Sequence, residues 1–167
     1  MARVKEQRRY IGFDAPVVVV TDPLETDIGD RRLRVLLRQW AKAVHSGVMP
    51  EMKVVAGPAL AGLRDYLLVL EVIDGGHDFR YLFHGPAVAF ALAMDMTDRK
   101  ASELPGPLAN LLIDLWGATV RDQVPIFASY AAFATDDADR WERLSVPVRQ
   151  KSANEVDALL VGVIPIA

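Results

Sequence analysis

The histidines are the first residues in this chain that could carry chemistry. They are His45, His77 and His84, and only His84 has the apolar surroundings that an axial haem ligand would need. No His–x–His or His–Glu–x–x–His spacing is present, and the chain contains no cysteine. A metal or haem ligand at His84 is one hypothesis. Ordinary hydrogen bonding of a turn histidine and a strand-end histidine is the interpretation that the spacing favours, so we expect no metal and no cofactor.

The acidic and hydroxyl side chains suggest no catalytic constellation. The cluster Asp136, Asp137 and Asp139 lacks the glycine and the distal glutamate of a calcium loop, so it is typical of a solvated hairpin. Asp95 fits a cap or an ion pair better than acid–base chemistry, and Ser145 has no Gly–x–Ser–x–Gly setting. We therefore expect no catalytic residue and no enzymatic activity.

Composition limits the class of protein. The 167 residues are 51% hydrophobic and 25% charged, which predicts one domain with a sizeable core. A net charge of -3 does not favour nucleic-acid binding. The apolar runs are too short to span a membrane, and no secretory signal is recognisable at the N-terminus. We expect a cytoplasmic protein that binds neither nucleic acid nor membrane.

The elements that must position these residues follow from periodicity and turn signals. Residues 1–29 are predicted to be an extended lead-in in which 15–20 forms a short strand or a packed extended arm, and 30–167 a single domain. Asp30 is predicted to cap a helix to about His45, with Trp40 on its apolar face. Further predicted elements are strands at 66–73 and 78–84, helices between 85 and 122, and strands at about 125–134, 140–149 and 155–166.

Two strands have patterns that predict which side chains face inward. In the strand at 78–84, Phe79, Tyr81 and Phe83 are expected on one face and Arg80, Leu82 and His84 on the other. In the strand at 140–149, Leu144, Val146 and Val148 alternate with Arg143, Ser145 and Arg149, as in a half-buried antiparallel strand whose apolar set faces the core. The order of elements predicts an α+β fold.

Several motifs follow one another in a fixed order along the chain: Trp40 and Pro50, then Phe79-Arg80-Tyr81 ending at Gly85, Asp95-Met96-Thr97-Asp98-Arg99, Arg143 to Val148 and Asp157 to Leu160. Together they resemble a family of stand-alone PAS-like domains found mostly in alphaproteobacteria. The chain departs from the family pattern at Asp98 and Met94, where glycine is usual. The resemblance covers roughly 33–163 and implies a five-stranded antiparallel sheet, with helices inserted after the second strand and packed on one face.

The resemblance also implies a function. PAS-like domains sense or relay signals, so we expect a non-catalytic sensory or regulatory module that binds a small ligand, a protein partner such as a separate signalling protein, or both. The implied cavity lies between the sheet and the inserted helices. Its candidate lining is aromatic, with the alternative that these residues simply fill the core: Phe83, Phe90, Trp116, Phe127 and Tyr130.

Two other classes of function stay open from the sequence. One is a small enzyme of the cone-shaped α+β barrel type, similar to scytalone dehydratase, which a buried His–Asp pair in a deep pocket would favour. The other is a structural dimerisation module. A homodimer is expected in either the sensory or the structural case, through the helix at 30–45 or through an apolar stripe containing Ile113, Trp116 and Val120.

Overall fold

The computed structural model describes residues 2–134 and 136–167, and within them one sheet of seven strands is found. Its order is β1-β2-β5-β6-β7-β3-β4, and every neighbouring pair is antiparallel. The strands are β1 (Val4–Arg8), β2 (Val17–Thr21), β3 (Leu67–Ile73), β4 (Asp78–His84), β5 (Ile126–Ala131), β6 (Arg140–Val148) and β7 (Ala158–Ile166).

Helices cover both faces of this sheet, which makes a three-layered α+β structure. The helices are α1 (Arg31–Ala43), α2 (Met52–Val55), α3 (Pro86–Leu92) and α4 (Gly106–Asp122). A 3₁₀ segment, Pro58–Tyr66, precedes β3. Helix α1 and the 3₁₀ segment pack on one side, here the α1 face, and α3 and α4 pack on the other, the α4 face. The predicted α+β class is confirmed.

The prediction of a five-stranded sheet is wrong, because β1 and β2 add two strands to it. The five predicted strands are contiguous, and β2 pairs with β5 at their edge through residues such as Val19 opposite Ala128. Val17 and Val19 are fully buried there. The outermost strand, β1, has the sequence VKEQR and lies almost entirely exposed, so it has no apolar alternation to reveal it. Residues 1–29 thus include two strands of the sheet.

Helix α1 begins and packs as the sequence predicts. The Asp30 side chain accepts a hydrogen bond of 2.8 Å from the Arg32 N–H, which satisfies one of the free donors of the first turn. Trp40 is buried on the α1 face, and its Nε1 donates to the Pro147 carbonyl at 2.8 Å. Trp40 therefore anchors α1 to β6.

Strand β6 is buried on both faces rather than on one. Leu144, Val146 and Val148 are fully buried against the α1 face, so their predicted inward orientation is confirmed. Arg143 and Ser145, predicted on an open face, are buried as well. The reason is that α4 lies over this second face, which a half-buried strand would leave to solvent.

A β-bulge changes the facing of side chains in β4. Leu70 pairs with Tyr81 and Val69 with Phe83, so Leu82 is an extra residue between them. Phe79 and Tyr81 face α4 as a pair, but Phe83 then packs on the α1 face. The predicted grouping of Phe83 with Phe79 and Tyr81 is therefore wrong, and His84 lies on the same face as Tyr81.

The loop after α3 is tied to the outer edge of β4. The Asp98 N–H donates to the Tyr81 carbonyl at 2.7 Å, and the Tyr81 N–H donates to the Arg99 carbonyl at 3.0 Å. Asp98 has a φ of 65°, the left-handed conformation that glycine adopts without strain. The chain thus keeps a glycine-like backbone at a position where it carries aspartate.

Candidate functional site

Arg143, on β6, is the most unusual polar residue of the protein. Its exposed fraction is 3%, and its side chain lies on the α4 face. The Nε–H donates to the Tyr130 hydroxyl at 2.6 Å, and the guanidinium carbon lies 5.8 Å from the Tyr130 ring and 5.7 Å from the Trp141 ring. Both terminal nitrogens, Nη1 and Nη2, are buried and have no hydrogen-bond partner among the described residues.

No carboxylate of the described residues forms an ion pair with this charge. Of the ion pairs formed within 2–134 and 136–167, none includes Arg143. The adjacent Glu142 points to the α1 face, near Gly29, and pairs with Arg140 at 3.2 Å. A buried charge without a partner costs roughly several kcal/mol of folding free energy. Stability of the fold therefore gives no reason for an arginine at position 143.

His84, at the end of β4, adds a second buried donor. Its Nδ1 accepts a hydrogen bond of 2.9 Å from the Met96 N–H, which places the proton of the neutral ring on Nε2. That Nε2 is buried and, like the Arg143 nitrogens, has no partner in the described part of the chain. Burial, followed by the positive charge of Arg143, lowers the pKa of His84 to about 4, against a smaller opposing effect of Asp95. The imidazole is thus neutral at pH 7.

The contact between His84 and Asp95 is not a buried catalytic pair. The distance from His84 Nδ1 to the Asp95 carboxylate is 3.8 Å, and the Asp95 side chain is 70% exposed. Asp95 instead accepts hydrogen bonds from the backbone and hydroxyl of Thr97, which lower its pKa. Nδ1 has no proton to donate to Asp95. Asp95 therefore cannot orient the imidazole in the way that the aspartate of a catalytic triad orients its histidine.

Strand register places these two donors on one surface. His84 pairs with Leu68, Leu68 with Val161 and Val161 with Ser145, which forms one row across β4, β3, β7 and β6. Arg143 is two residues from Ser145 on the same face. We call Arg143 and His84, with the hydroxyls of Tyr81 and Tyr130, the buried donor cluster.

Each of the two buried donors has a tyrosine ring beside it. The Tyr81 ring lies 5.1 Å from the His84 ring, measured between centroids. Burial raises the pKa of both Tyr81 and Tyr130, and the nearby Arg143 charge opposes the shift. The two phenols therefore stay protonated, so that Arg143 carries the single net charge of the cluster.

Helix α4 covers the donor side of the sheet. Trp116 packs edge-on against Phe79 and Tyr81, with ring centroids 5.6 Å and 5.9 Å apart. The Thr119 hydroxyl donates to the Leu115 carbonyl at 2.9 Å and lies 2.7 Å from the Ser145 hydroxyl. These contacts exclude water from the face that carries Arg143, which strengthens any electrostatic interaction there.

An apolar pocket of ≈ 330 Å³ opens on the same side of the sheet. Asp136, on its wall, accepts a 2.9 Å hydrogen bond from Nε1 of Trp141, the residue whose ring lies 5.7 Å from the Arg143 guanidinium carbon. Met94, on another wall, is two residues from the Met96 N–H that binds His84. The wall is made by Leu92, Met94, Pro105, Pro107, Leu108, Phe133, Ala134 and Asp136.

The five aromatic residues proposed from the sequence do not line one cavity. Trp116 and Tyr130 are buried on the α4 face, whereas Phe127 is buried on the α1 face. Phe90 is 76% exposed. Phe83 borders a separate cavity of ≈ 280 Å³ beside the 3₁₀ segment, where the Arg64 guanidinium lies 5.6 Å from its ring centroid. The predicted grouping of all five around one pocket is therefore wrong, while ligand binding by any of them stays a prediction.

Sequence reasoning missed Arg143 because the alternation in β6 is typical of a strand with one open face. The signal that could have found it lies in the neighbouring strand. Residues Ala158–Val163 of β7 are apolar without alternation, which is typical of a strand covered on both faces. A strand hydrogen-bonded to β7 should then be covered on both faces too.

The other chemical candidates have local structural roles. Asp136 accepts from Trp141 and from the Phe133 N–H, and His77 Nδ1 lies 2.6 Å from the Asp74 carbonyl. Across residues 2–134 and 136–167, no group of three or more potential ligands is arranged to hold a metal ion. The same part of the chain contains no helix with the length and apolar character needed to cross a membrane.

Comparisons with known proteins give little similarity. No protein-family model matches the chain, and the comparison with curated proteins finds no match. Among solved structures, the chain is similar to a domain of an HTR-like protein from Haloarcula marismortui ATCC 43049, with a TM-score of 0.45 and 14% identity over 60% of this chain and 98% of that domain.

Proposed function

We propose that this protein is a non-catalytic sensory or regulatory module that binds a small molecule between the sheet and helix α4. The observation that carries the proposal is the buried guanidinium of Arg143, whose Nη1 and Nη2 have no partner among the described residues. Natural proteins rarely bury a charge that costs stability unless it has a function. A ligand that accepts these hydrogen bonds would satisfy the charge.

The motifs around Gly85, Asp95 and Ser145 support the sensory class, and on them we propose kinship with the stand-alone PAS-like family. The local chemistry agrees with a binding role. His84 is neutral and uses Nδ1 as an acceptor, and Asp95 is exposed. The donor cluster thus has donors to hold a ligand, while the carboxylates near it, Asp95 and Asp136, accept hydrogen bonds from Thr97 and from Trp141 and Phe133.

We further propose that the output passes through a homodimer or to a separate signalling protein. Trp40 and Trp116 are buried within their own chain, whereas Ile113 and Val120 of the second predicted interface are partly exposed. Sedimentation at micromolar concentration reports the oligomeric state directly.

Native mass spectrometry of freshly purified protein tests the proposed function. The wild type should carry a small molecule that Arg143→Met has lost. The matched control is Arg121→Met, which removes the same charge from a side chain that is 72% exposed and should keep the molecule.

A thermal-shift screen against a library of metabolites covers the case in which the ligand dissociates during purification. At least one compound should stabilise the wild type and Arg121→Met but not Arg143→Met. If no compound distinguishes Arg143→Met from the wild type and no molecule is retained, the proposed function is wrong, and a structural module becomes the better interpretation.

A further inference from the structure

We infer that the ligand of the buried donor cluster is a small monocarboxylate with an apolar body, whose carboxylate binds to Nη1 and Nη2 of Arg143. This inference rests on the proposed function and narrows it to one chemical class.

The buried side-chain nitrogens of the cluster that have no partner among the described residues are all donors. They are the two terminal nitrogens of Arg143 and the Nε2–H of His84. Unpartnered donors favour a ligand that accepts hydrogen bonds, and an unpaired positive charge favours an anion. Neutral amides and alcohols satisfy the first requirement alone.

The geometry of the guanidinium favours a planar carboxylate. The Nε–H of Arg143 already donates to the Tyr130 hydroxyl at 2.6 Å. The edge of the guanidinium without a partner among the described residues is therefore the one formed by Nη1 and Nη2. Two parallel N–H groups on one edge match the two oxygens of a carboxylate in a bidentate pair. The tyrosine thus leaves the end-on edge of the fork for the ligand.

The charge balance favours a monoanion. Arg143 supplies one positive charge, and His84 stays neutral because burial and the Arg143 charge lower its pKa. A dianion such as hydrogen phosphate would leave one negative charge uncompensated in a dry interior, which is costly. A monocarboxylate matches the single charge of Arg143.

The neighbouring walls favour an apolar body for this acid. The ≈ 330 Å³ pocket on the same side of the sheet is lined mainly by aliphatic, proline and phenylalanine side chains, and Asp136 on its wall accepts a hydrogen bond from Trp141 beside Arg143. Trp116 and Tyr81 add aromatic surface above the sheet. An aliphatic or aromatic tail would be removed from water here at a gain of about 0.8 kcal/mol per methylene.

Calorimetric titration with three probes tests the inference. Hexanoate carries the charge and the tail, hexanamide carries the tail without the charge, and inorganic phosphate carries the charge without the tail. Hexanoate should bind the wild type at least about tenfold more tightly than either of the others. Arg143→Lys keeps the charge but loses the two parallel N–H groups of the guanidinium, so it should weaken the binding of hexanoate about tenfold.

Two further variants separate the contributions. Arg143→Met should bind hexanoate no better than hexanamide, whereas Arg121→Met should match the wild type. Near-ultraviolet circular dichroism checks that each variant is folded, and Arg143→Lys keeps the test decisive should Arg143→Met fail to fold.

Each remaining outcome overturns the inference in a distinct way. Equal affinity for hexanoate and hexanamide would exclude a role of charge, and tighter binding of phosphate would replace the carboxylate class by an oxyanion class. Failure of all three probes to bind would exclude this class of ligand. If native mass spectrometry still shows a small molecule that depends on Arg143, the proposed function survives the loss of the carboxylate assignment. If it shows none, both fail.

Discussion

Arg143 on β6 donates a 2.6 Å hydrogen bond from Nε to the hydroxyl of Tyr130 on β5, and this contact fixes the direction of the guanidinium. Trp141, opposite Tyr130 in the register, lies on the same face and borders the same group. The terminal nitrogens are therefore held in the interior under α4 rather than being free to reach solvent. A rigid, dry and unpaired cation is what the binding proposal rests on.

Removing the Tyr130 hydroxyl should be costly only while Arg143 is present. Tyr130→Phe takes away the single hydrogen-bond acceptor that Arg143 has among the described residues and should lower the free energy of unfolding by about 1.5 to 3 kcal/mol. In an Arg143→Met background the same change should cost about 1 kcal/mol or less. Urea denaturation of the wild type, the two single variants and the double variant gives the coupling free energy between Tyr130 and Arg143. Equal costs in both backgrounds would show that the pair contributes nothing specific.

Stability should fall in mild acid because of His84. In the unfolded chain the imidazole takes up a proton below its ordinary pKa of 6.5, whereas in the folded protein burial and Arg143 hold that pKa at about 4. The unfolded state therefore binds more protons in this window, and stability is lost as the pH drops from about 6.5 to about 4. This one group accounts for up to about 3 kcal/mol of that loss.

His84→Asn isolates this contribution, since asparagine does not titrate and its side-chain oxygen can still accept from the Met96 N–H. Denaturation midpoints measured between pH 7 and pH 4 should fall less steeply for His84→Asn than for the wild type. Parallel profiles for the two proteins would mean that His84 is not held neutral by the fold.

The left-handed backbone at Asp98 makes a specific demand on the side chain. Asp98→Val places a β-branched residue at a φ of 65° and should destabilise the protein by about 1 to 2 kcal/mol. Asp98→Gly removes the steric conflict but adds chain entropy, so it should stay within about 0.5 to 1 kcal/mol of the wild type. Thermal unfolding compares the three proteins. A valine variant as stable as the glycine variant would contradict the loop conformation.

A buried and an exposed apolar residue give opposite expectations for an introduced charge. Val146 is fully buried against the α1 face, so Val146→Asp should cost about 3 to 5 kcal/mol or prevent folding. Phe90 is exposed on α3, so Phe90→Asp should change stability by about 0.5 kcal/mol at most and leave ligand retention unchanged. Loss of the bound molecule in Phe90→Asp would show that Phe90 takes part in ligand binding.

Periodicity predicted most of the elements but not their surroundings. Helix α4, strand β4 and the burial of Val146 follow from apolar spacing and turn residues, which are local properties of the chain. The burial of Arg143 depends on α4 packing over a strand far away in sequence, and no local pattern in β6 reports it. The charged strand β1 was missed because its pairing with β2, rather than its composition, makes it a strand.

The position of His84 shows how one residue changes a predicted site. Strict alternation would put His84 and Tyr81 on different faces of β4, yet the bulge at Leu82 brings both to the α4 face. A bulge depends on how two strands pair, so the sequence of β4 alone does not specify it. The same shift carries Phe83 out of the predicted aromatic pocket and into the cavity near Arg64.

The most direct measurement of the central claim is the stability of ligand-free Arg143→Met relative to the ligand-free wild type, by urea denaturation at pH 7. If Arg143 is an uncompensated charge kept for binding, its replacement by an unbranched apolar side chain should leave the free energy of unfolding unchanged within about 1 kcal/mol or raise it. A loss of about 3 kcal/mol or more would show that the guanidinium stabilises the fold, and it would contradict the account of Arg143 as the residue that holds a ligand.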